Sequence, residues 1–153
     1  MKLEDEIKQK EFKSPYHKLM VNILYTGNWM SLLEANYLKP YNLTLPQFNV
    51  LRILRGQYPN PTTVNDIIDR MLDKSSNASR IIDKLVLKKL AVRKTCKKDK
   101  RAVDVVITES GLQLLKLIDK EIHKWEDRMK TISVSEAEKL NVLLDKLRDC
   151  TVK

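Results

Sequence analysis

Glycine is scarce in this sequence, with three residues among 153: Gly27, Gly56 and Gly111. Tight β-turns and phosphate-cradling loops both draw on glycine, so the scarcity argues against a β-rich fold and against a glycine-rich phosphate loop. Cysteine is scarcer still. Cys96 and Cys150 stand far apart and match no metal-ligand spacing, which fits a reduced, cytoplasmic protein with no disulfide framework. The only histidines are His17 and His123, and isolated histidines are usually structural, so no metal site is expected. No His-Glu-x-x-His zinc motif or nucleophile elbow occurs; no catalytic residue, no cofactor and no enzymatic activity are expected. No apolar run approaches the ~20 residues that span a bilayer, and Met1-Lys2-Leu3-Glu4-Asp5-Glu6 lacks the pattern of a secretion signal. No membrane association is expected.

What the chain has is positive charge, and it is concentrated. The formal net charge is +9. Between Lys74 and Arg101 stand eleven basic residues, opposed only by Asp83 and Asp99, so this stretch carries the whole excess. Such a strip suits a polyanion, whose condensed counterions are released as lysines and arginines replace them. Hydrophobic residues make up 42% of the chain, enough for one packed domain of ordinary size.

The apolar pattern predicts a mostly helical chain. Leu3, Ile7 and Phe12 are spaced for a short amphipathic helix within residues 1–13. Ser14-Pro15 reads as a cap followed by a first helical residue. The long helix it opens is apolar on more than one face through Leu19, Met20, Ile23, Leu24, Trp29, Leu32, Leu33 and Tyr37, and ends at Lys39-Pro40. A surface helix of a monomer needs a single apolar stripe, so this one is expected to pack against a second body as well. Thr44-Leu45-Pro46-Gln47 and Ser133-Val134-Ser135-Glu136 fit capping boxes. The first opens a helix with Phe48, Leu51, Ile53 and Leu54 inward, stopping near Gly56. Tyr58-Pro59-Asn60-Pro61 is a rigid loop. Thr63 starts another helix, with Ile67, Ile68, Met71 and Leu72 apolar, and after a break at Asp73 a further helix is expected from about Lys74 to Lys89. Runs from Val92 to Cys96 and from Ala102 to Ile107 read as two strands, Val103, Val105 and Ile107 alternating at period two. They make a β-hairpin with a basic tip. Thr108 caps a long helix whose Leu115, Ile118, Ile122, Trp125 and Met129 form a 3-4-3-4 seam, and Ala137, Leu140, Leu143, Leu144 and Leu147 share one side of the last helix.

Helix, helix, tight turn, helix, basic hairpin is the layout of a winged helix-turn-helix, spanning residues 44–108. The fold class is therefore mainly α with a small β-hairpin wing. The helix after the turn is the one that enters a major groove roughly 12 Å wide. Setting Ala78, Ile81, Ile82 and Leu85 inward leaves Ser76, Asn77, Arg80 and Lys84 outward, with Ser75 and Ser79 at the flanks. Arg80 has the fork to take a guanine bidentately and Asn77 the amide to pair with adenine. At the hairpin tip, Lys97, Lys98, Lys100 and Arg101 either track phosphates or place an arginine in the minor groove. Asp99 either accepts hydrogen bonds in the turn or aims a neighbouring arginine.

The stretch Asp73-Lys74-Ser75-Ser76-Asn77-Ala78-Ser79-Arg80-Ile81-Ile82-Asp83-Lys84-Leu85, then Asp99-Lys100-Arg101, then Val105-Val106-Ile107-Thr108-Glu109-Ser110-Gly111, resembles the MarR family of bacterial regulators. The resemblance covers nearly the whole chain. It implies one family-type domain, a winged helix-turn-helix lobe over 44–108 with dimerisation helices in 1–40 and 109–153. It also implies a homodimer that binds double-stranded DNA at a pseudo-palindromic site, usually as a repressor. Ser75, Ser76, Asn77, Ser79, Arg80 and Lys84 carry over as recognition-helix contacts, Arg101 as the wing arginine and Asp99 as its turn partner. The family often senses a small aromatic or anionic effector in a cleft beside the dimer helices. Tyr16, Tyr25, Trp29 and Met30 either line such a cleft or serve as core. Peroxide-sensing members carry a reactive cysteine near the start of the first long helix, where residues 14–30 have none. A winged helix used for protein contact, or as a nonspecific architectural DNA binder, is the alternative reading.

Overall fold

The computed structural model describes residues 1–95 and 103–149. Seven α-helices are present among them: α1 (Leu3–Glu6), α2 (Pro15–Leu38), α3 (Leu45–Gln57), α4 (Val64–Arg70), α5 (Ala78–Leu87), α6 (Glu109–Met129) and α7 (Val134–Arg148). Three strands join them, β1 (Thr62–Thr63), β2 (Ala91–Thr95) and β3 (Val103–Ile107), in the antiparallel order β1-β3-β2. The chain divides into two compact units, residues 1–112 and 113–153. No described helix is long and apolar enough to cross a membrane.

Local capping chemistry sets most helix starts. The Ser14 hydroxyl accepts from the His17 N–H at 3.1 Å, with Pro15 as the first helical residue. Thr44 and Gln47 exchange the two bonds of a capping box, at 3.3 and 3.4 Å. Thr63 with Asp66 and Ser133 with Glu136 do the same. Each arrangement satisfies amide groups that a helix N-terminus leaves without intrahelical partners.

Several helix ends depend on left-handed residues, and none is glycine. Lys8, Asn42 and Lys89 have φ of 55°, 53° and 60°. After α5, the Leu90 N–H donates to the Leu85 carbonyl at 2.9 Å and the Lys89 N–H to Val86 at 2.9 Å. That pair of bonds is a Schellman motif, with buried Leu85 and Leu90 making its apolar contact. Lys8 shortens the first helix: the Gln9 N–H returns to the Glu4 carbonyl at 3.1 Å, so Ile7 and Phe12 lie outside α1 rather than on the continuous helical face their spacing suggested. Phe12 meets His17 edge-on instead.

The core of the first unit forms where α3, α4 and α5 pack on the sheet. Leu51, Leu54, Ile67, Ile82, Leu85 and Val105 are fully buried, each worth about 1.5–3 kcal/mol of apolar transfer. Val50 is fully buried where Ile53 is only half-buried, so the inward face of α3 is turned slightly from the expected one. β1 is a strand that two residues were too short to announce; Thr62 pairs with Val105 and Thr63 with Asp104. The hairpin itself pairs Ala91 with Ile107 through Thr95 with Val103. Val105 and Ile107 bury one face, whereas Val103 is partly exposed. Leu72, expected among the apolar positions of the preceding helix, lies past the end of α4 and is 85% exposed.

Thr108 and Gly111 lock the hairpin to the helix that follows. The Thr108 hydroxyl donates to the Lys89 carbonyl at 2.7 Å and accepts from the Gly111 N–H at 3.1 Å. The Thr108 N–H reaches the Leu90 carbonyl at 3.1 Å. A Cβ on Gly111 would collide with that same carbonyl and lie 2.7 Å from Ile107 Cγ1. In the second unit, Leu115 and Ile118 of the predicted seam are fully buried and Met129 is half-buried; the side chains of Ile122 and Trp125 lie outside the described residues. No residue of α7 is buried.

Candidate nucleic-acid interface

The residues between α4 and α5 form a polar turn rather than the first turn of a helix. Asp73 collects it: its Oδ1 accepts from the Ser75 N–H at 2.9 Å and the Ser75 hydroxyl at 2.5 Å, and its Oδ2 from the Ser76 hydroxyl at 2.7 Å. These bonds, the Ser75 hydroxyl first, hold the Asp73 carboxyl below the usual aspartate range. Asn77 then caps α5, its Oδ1 accepting from the Arg80 N–H at 3.0 Å. The expected helix from Lys74 therefore starts four residues late, at Ala78. Short polar side chains here compete with helix propagation for the backbone N–H groups.

This shift redistributes the predicted contacts. Ser75 and Ser76 use their hydroxyl protons on Asp73, and Asn77 uses its carbonyl oxygen as a cap, keeping only its amide N–H2 to offer. Ser79, Arg80 and Lys84 project from the solvent face of α5 while Ala78, Ile82 and Leu85 are buried beneath. Among the described residues, neither the Arg80 guanidinium nor the Lys84 ammonium has a protein partner. Ile81 is half-buried rather than fully inward.

Beside this face runs a groove of about 350 Å³, lined by Thr44, Pro46 and Gln47 of the α3 start and by Ser76, Asn77, Arg80, Ile81 and Lys84. Two uncommitted cations, Arg80 and Lys84, thus line one open concavity, an arrangement that favours an anionic oxygen. The α3 residues of this groove were not among those singled out from sequence. The Thr44 capping box marks where that helix starts, but no local pattern shows that folding brings the start beside Arg80 and Lys84.

The predicted tip residues Lys97, Lys98, Asp99, Lys100 and Arg101 lie outside the described residues, as do Cys96 and Cys150. The aromatic candidates are only partly gathered. Tyr25 and Trp29 line a concavity of about 200 Å³ with Met1, Lys2, Leu3, Glu6, Asn22 and Thr26. The Tyr25 hydroxyl donates to Glu6 Oε2 at 2.8 Å, and this bond pushes the phenol above its ordinary range. Tyr16 is 83% exposed elsewhere on α2, and Met30 is half-buried away from the concavity's lining. Among the described residues no group of three or more ligating side chains is placed to hold a metal.

Comparison with known proteins places residues 41–102 in correspondence with the MarR family. Among solved structures, a MarR transcription factor from Planctomyces limnophilus is 26% identical, with a TM-score of 0.67 over 88% of this chain and 98% of that one. S. aureus MepR in complex with DNA is 22% identical, with a TM-score of 0.76 over 92% of this chain and 100% of the other. A mutant MarR from E. coli complexed with operator DNA is 24% identical, with a TM-score of 0.74 over 96% and 99%. A comparison with curated protein sequences returns no match.

Proposed function

We propose that this chain, whose residues 41–102 match the MarR family and whose fold is a winged helix, regulates transcription by binding a specific double-stranded DNA site as a homodimer. The observation that carries the reading is the solvent face of α5, where Arg80 and Lys84 stand uncommitted in the groove at the start of α3. In the major groove such a face reads base edges through Arg80, while Lys84 holds a flanking phosphate. Ser75, Ser76 and Asn77 shape the entry to that face. Lys97, Lys98, Lys100 and Arg101, which the sequence assigns to the wing, would follow the adjacent backbone or minor groove.

Exposed apolar surface supports the homodimer. Leu19, Met20, Leu24 and Leu32 of α2 are each 44–66% exposed, and Leu140, Leu143 and Leu147 of α7 are 43–59% exposed. A helix that turns several leucines to water in the isolated chain has the surface to pack on another subunit. Two copies of α5 on a two-fold body require half-sites about 34–36 Å apart, one turn of DNA. Bound in this way over a promoter, the dimer acts as a repressor. A small aromatic or anionic effector at Tyr25 and Trp29 would release it by favouring one separation of the two recognition helices over another. That concavity is smaller than the roughly 300 Å³ of an ordinary small-molecule pocket, so its occupant is a single small ring.

Selection of bound duplexes from a random pool tests the proposal. The expected product is a pseudo-palindrome with one-turn spacing. An unselective pool with a steep salt dependence would instead establish a nonspecific architectural binder, and no retained DNA would leave protein contact as the role of the winged helix.

A further inference from the structure

Two cations of the basic strip are already occupied within the protein. Arg93 stands on β2 opposite Val105, which is fully buried, so it takes a strand position on the core-facing side. There its Nη1 pairs with Asp83 Oδ1 at 3.0 Å and its Nη2 donates to the Ser79 carbonyl at 3.2 Å. Both partners belong to α5. At the other end of that helix, the ammonium of Lys88 donates to Gln47 Oε1 at 3.0 Å and to the Asn42 carbonyl. Gln47 is buried and is itself half of the α3 capping box.

These contacts grip a ten-residue helix from two sides, one from the hairpin and one from α3. We propose that Arg93 and Lys88 are positioning residues: they set the rotation of α5 and hence the aim of Arg80, and they do not neutralise phosphates. The proposal rests on the DNA-binding reading above. It assigns the strip two kinds of charge, which composition alone treats as one. Partly exposed ion pairs contribute little to stability, so the effect belongs in recognition. A guanidinium fork engages a carboxylate and a carbonyl together, which an ammonium in its place does not.

The test measures binding of the full-length protein to its best selected duplex and to random duplex, across a salt series. Wild-type binding with sequence preference is the reference; its absence would refute the DNA-binding reading itself and not merely this refinement. Asp83→Asn is the decisive variant, because it breaks the grip without removing a positive charge. Positioning predicts about three- to tenfold weaker binding to the selected duplex, the size of a typical coupled-pair loss, with random duplex nearly unaffected. Arg93→Lys should lose a similar factor although its charge is kept. Arg93→Met and Lys88→Met should leave the salt slope unchanged, and Arg93→Met combined with Asp83→Asn should be no worse than either alone. The opposite pattern overturns the proposal: tighter binding by Asp83→Asn, full retention by Arg93→Lys, and a salt slope shallower by about 0.9 in Arg93→Met or Lys88→Met, the share of a single neutralised phosphate.

Discussion

Arg80 and Asp73 lie seven residues apart and have opposite duties. Arg80 is exposed and uncommitted, and on the proposed reading its energy is realised on DNA. Arg80→Ala is expected to cost about 1–3 kcal/mol on the selected duplex and to relax preference at the base pair it reads. Competition binding against single-base variants of the site checks this, and equal losses on selected and random DNA would contradict it. Asp73 works inside the protein. Its carboxyl is held below the ordinary aspartate range by Ser75 and Ser76, so the bonds of the turn are complete above that range. They are lost as the pH falls through the lowered value, when the carboxylate takes up its proton. Amide chemical shifts of Ser75 and Ser76 should accordingly stay constant through the ordinary aspartate range and move only in stronger acid. Movement at the ordinary value would mean that the turn does not stabilise the charge.

At the scale of elements, two backbone positions govern how α5, the hairpin and α6 meet. Gly111 has no room for a methyl group between the Leu90 carbonyl and Ile107. Gly111→Ala is expected to destabilise the fold by about 1–3 kcal/mol, an overpacking penalty against backbone, visible as a lower midpoint in urea. Lys89 is the converse case. It holds φ of 60° in the Schellman turn, a conformation that costs a side-chain-bearing residue roughly 1 kcal/mol and glycine almost nothing. Lys89→Gly should therefore stabilise the fold slightly, by up to about 1 kcal/mol less the entropy that glycine adds to the unfolded chain. A clear loss of stability would show that the lysine side chain matters more than its backbone.

For the molecule as a whole, the proposed dimer makes the strongest demand. α2 buries Leu38 and leaves its middle leucines exposed, and α7 buries nothing. Leu24→Glu and Leu143→Glu, each far from α5 in sequence, should yield monomers by sedimentation with helix content kept. Selected-site affinity should fall by about a hundredfold or more, since the second recognition helix no longer binds as part of one body. Either variant remaining dimeric would remove its helix from the interface.

Much of this architecture was legible in the chain because its determinants are local. Ser14, Thr44, Thr63 and Ser133 each satisfy a helix start within three residues, and Val105 and Ile107 declare their buried face by alternation alone. The misjudged start of α5 was a contest between local patterns, in which Asp73, Ser75, Ser76 and Asn77 favoured a turn over the helical period continuing from Ala78. What no local pattern contains is the fate of each positive charge. Arg93 finds a carbonyl 14 residues away, and Lys88 finds partners 41 and 46 residues away, whereas Arg80 and Lys84 find none among the described residues. Sequence by itself determined that positive charge would gather beside a helix-turn-helix. Only the tertiary structure decided which cations face solvent and which hold the helix, because that choice depends on which strand and helix ends folding brings within reach of one another.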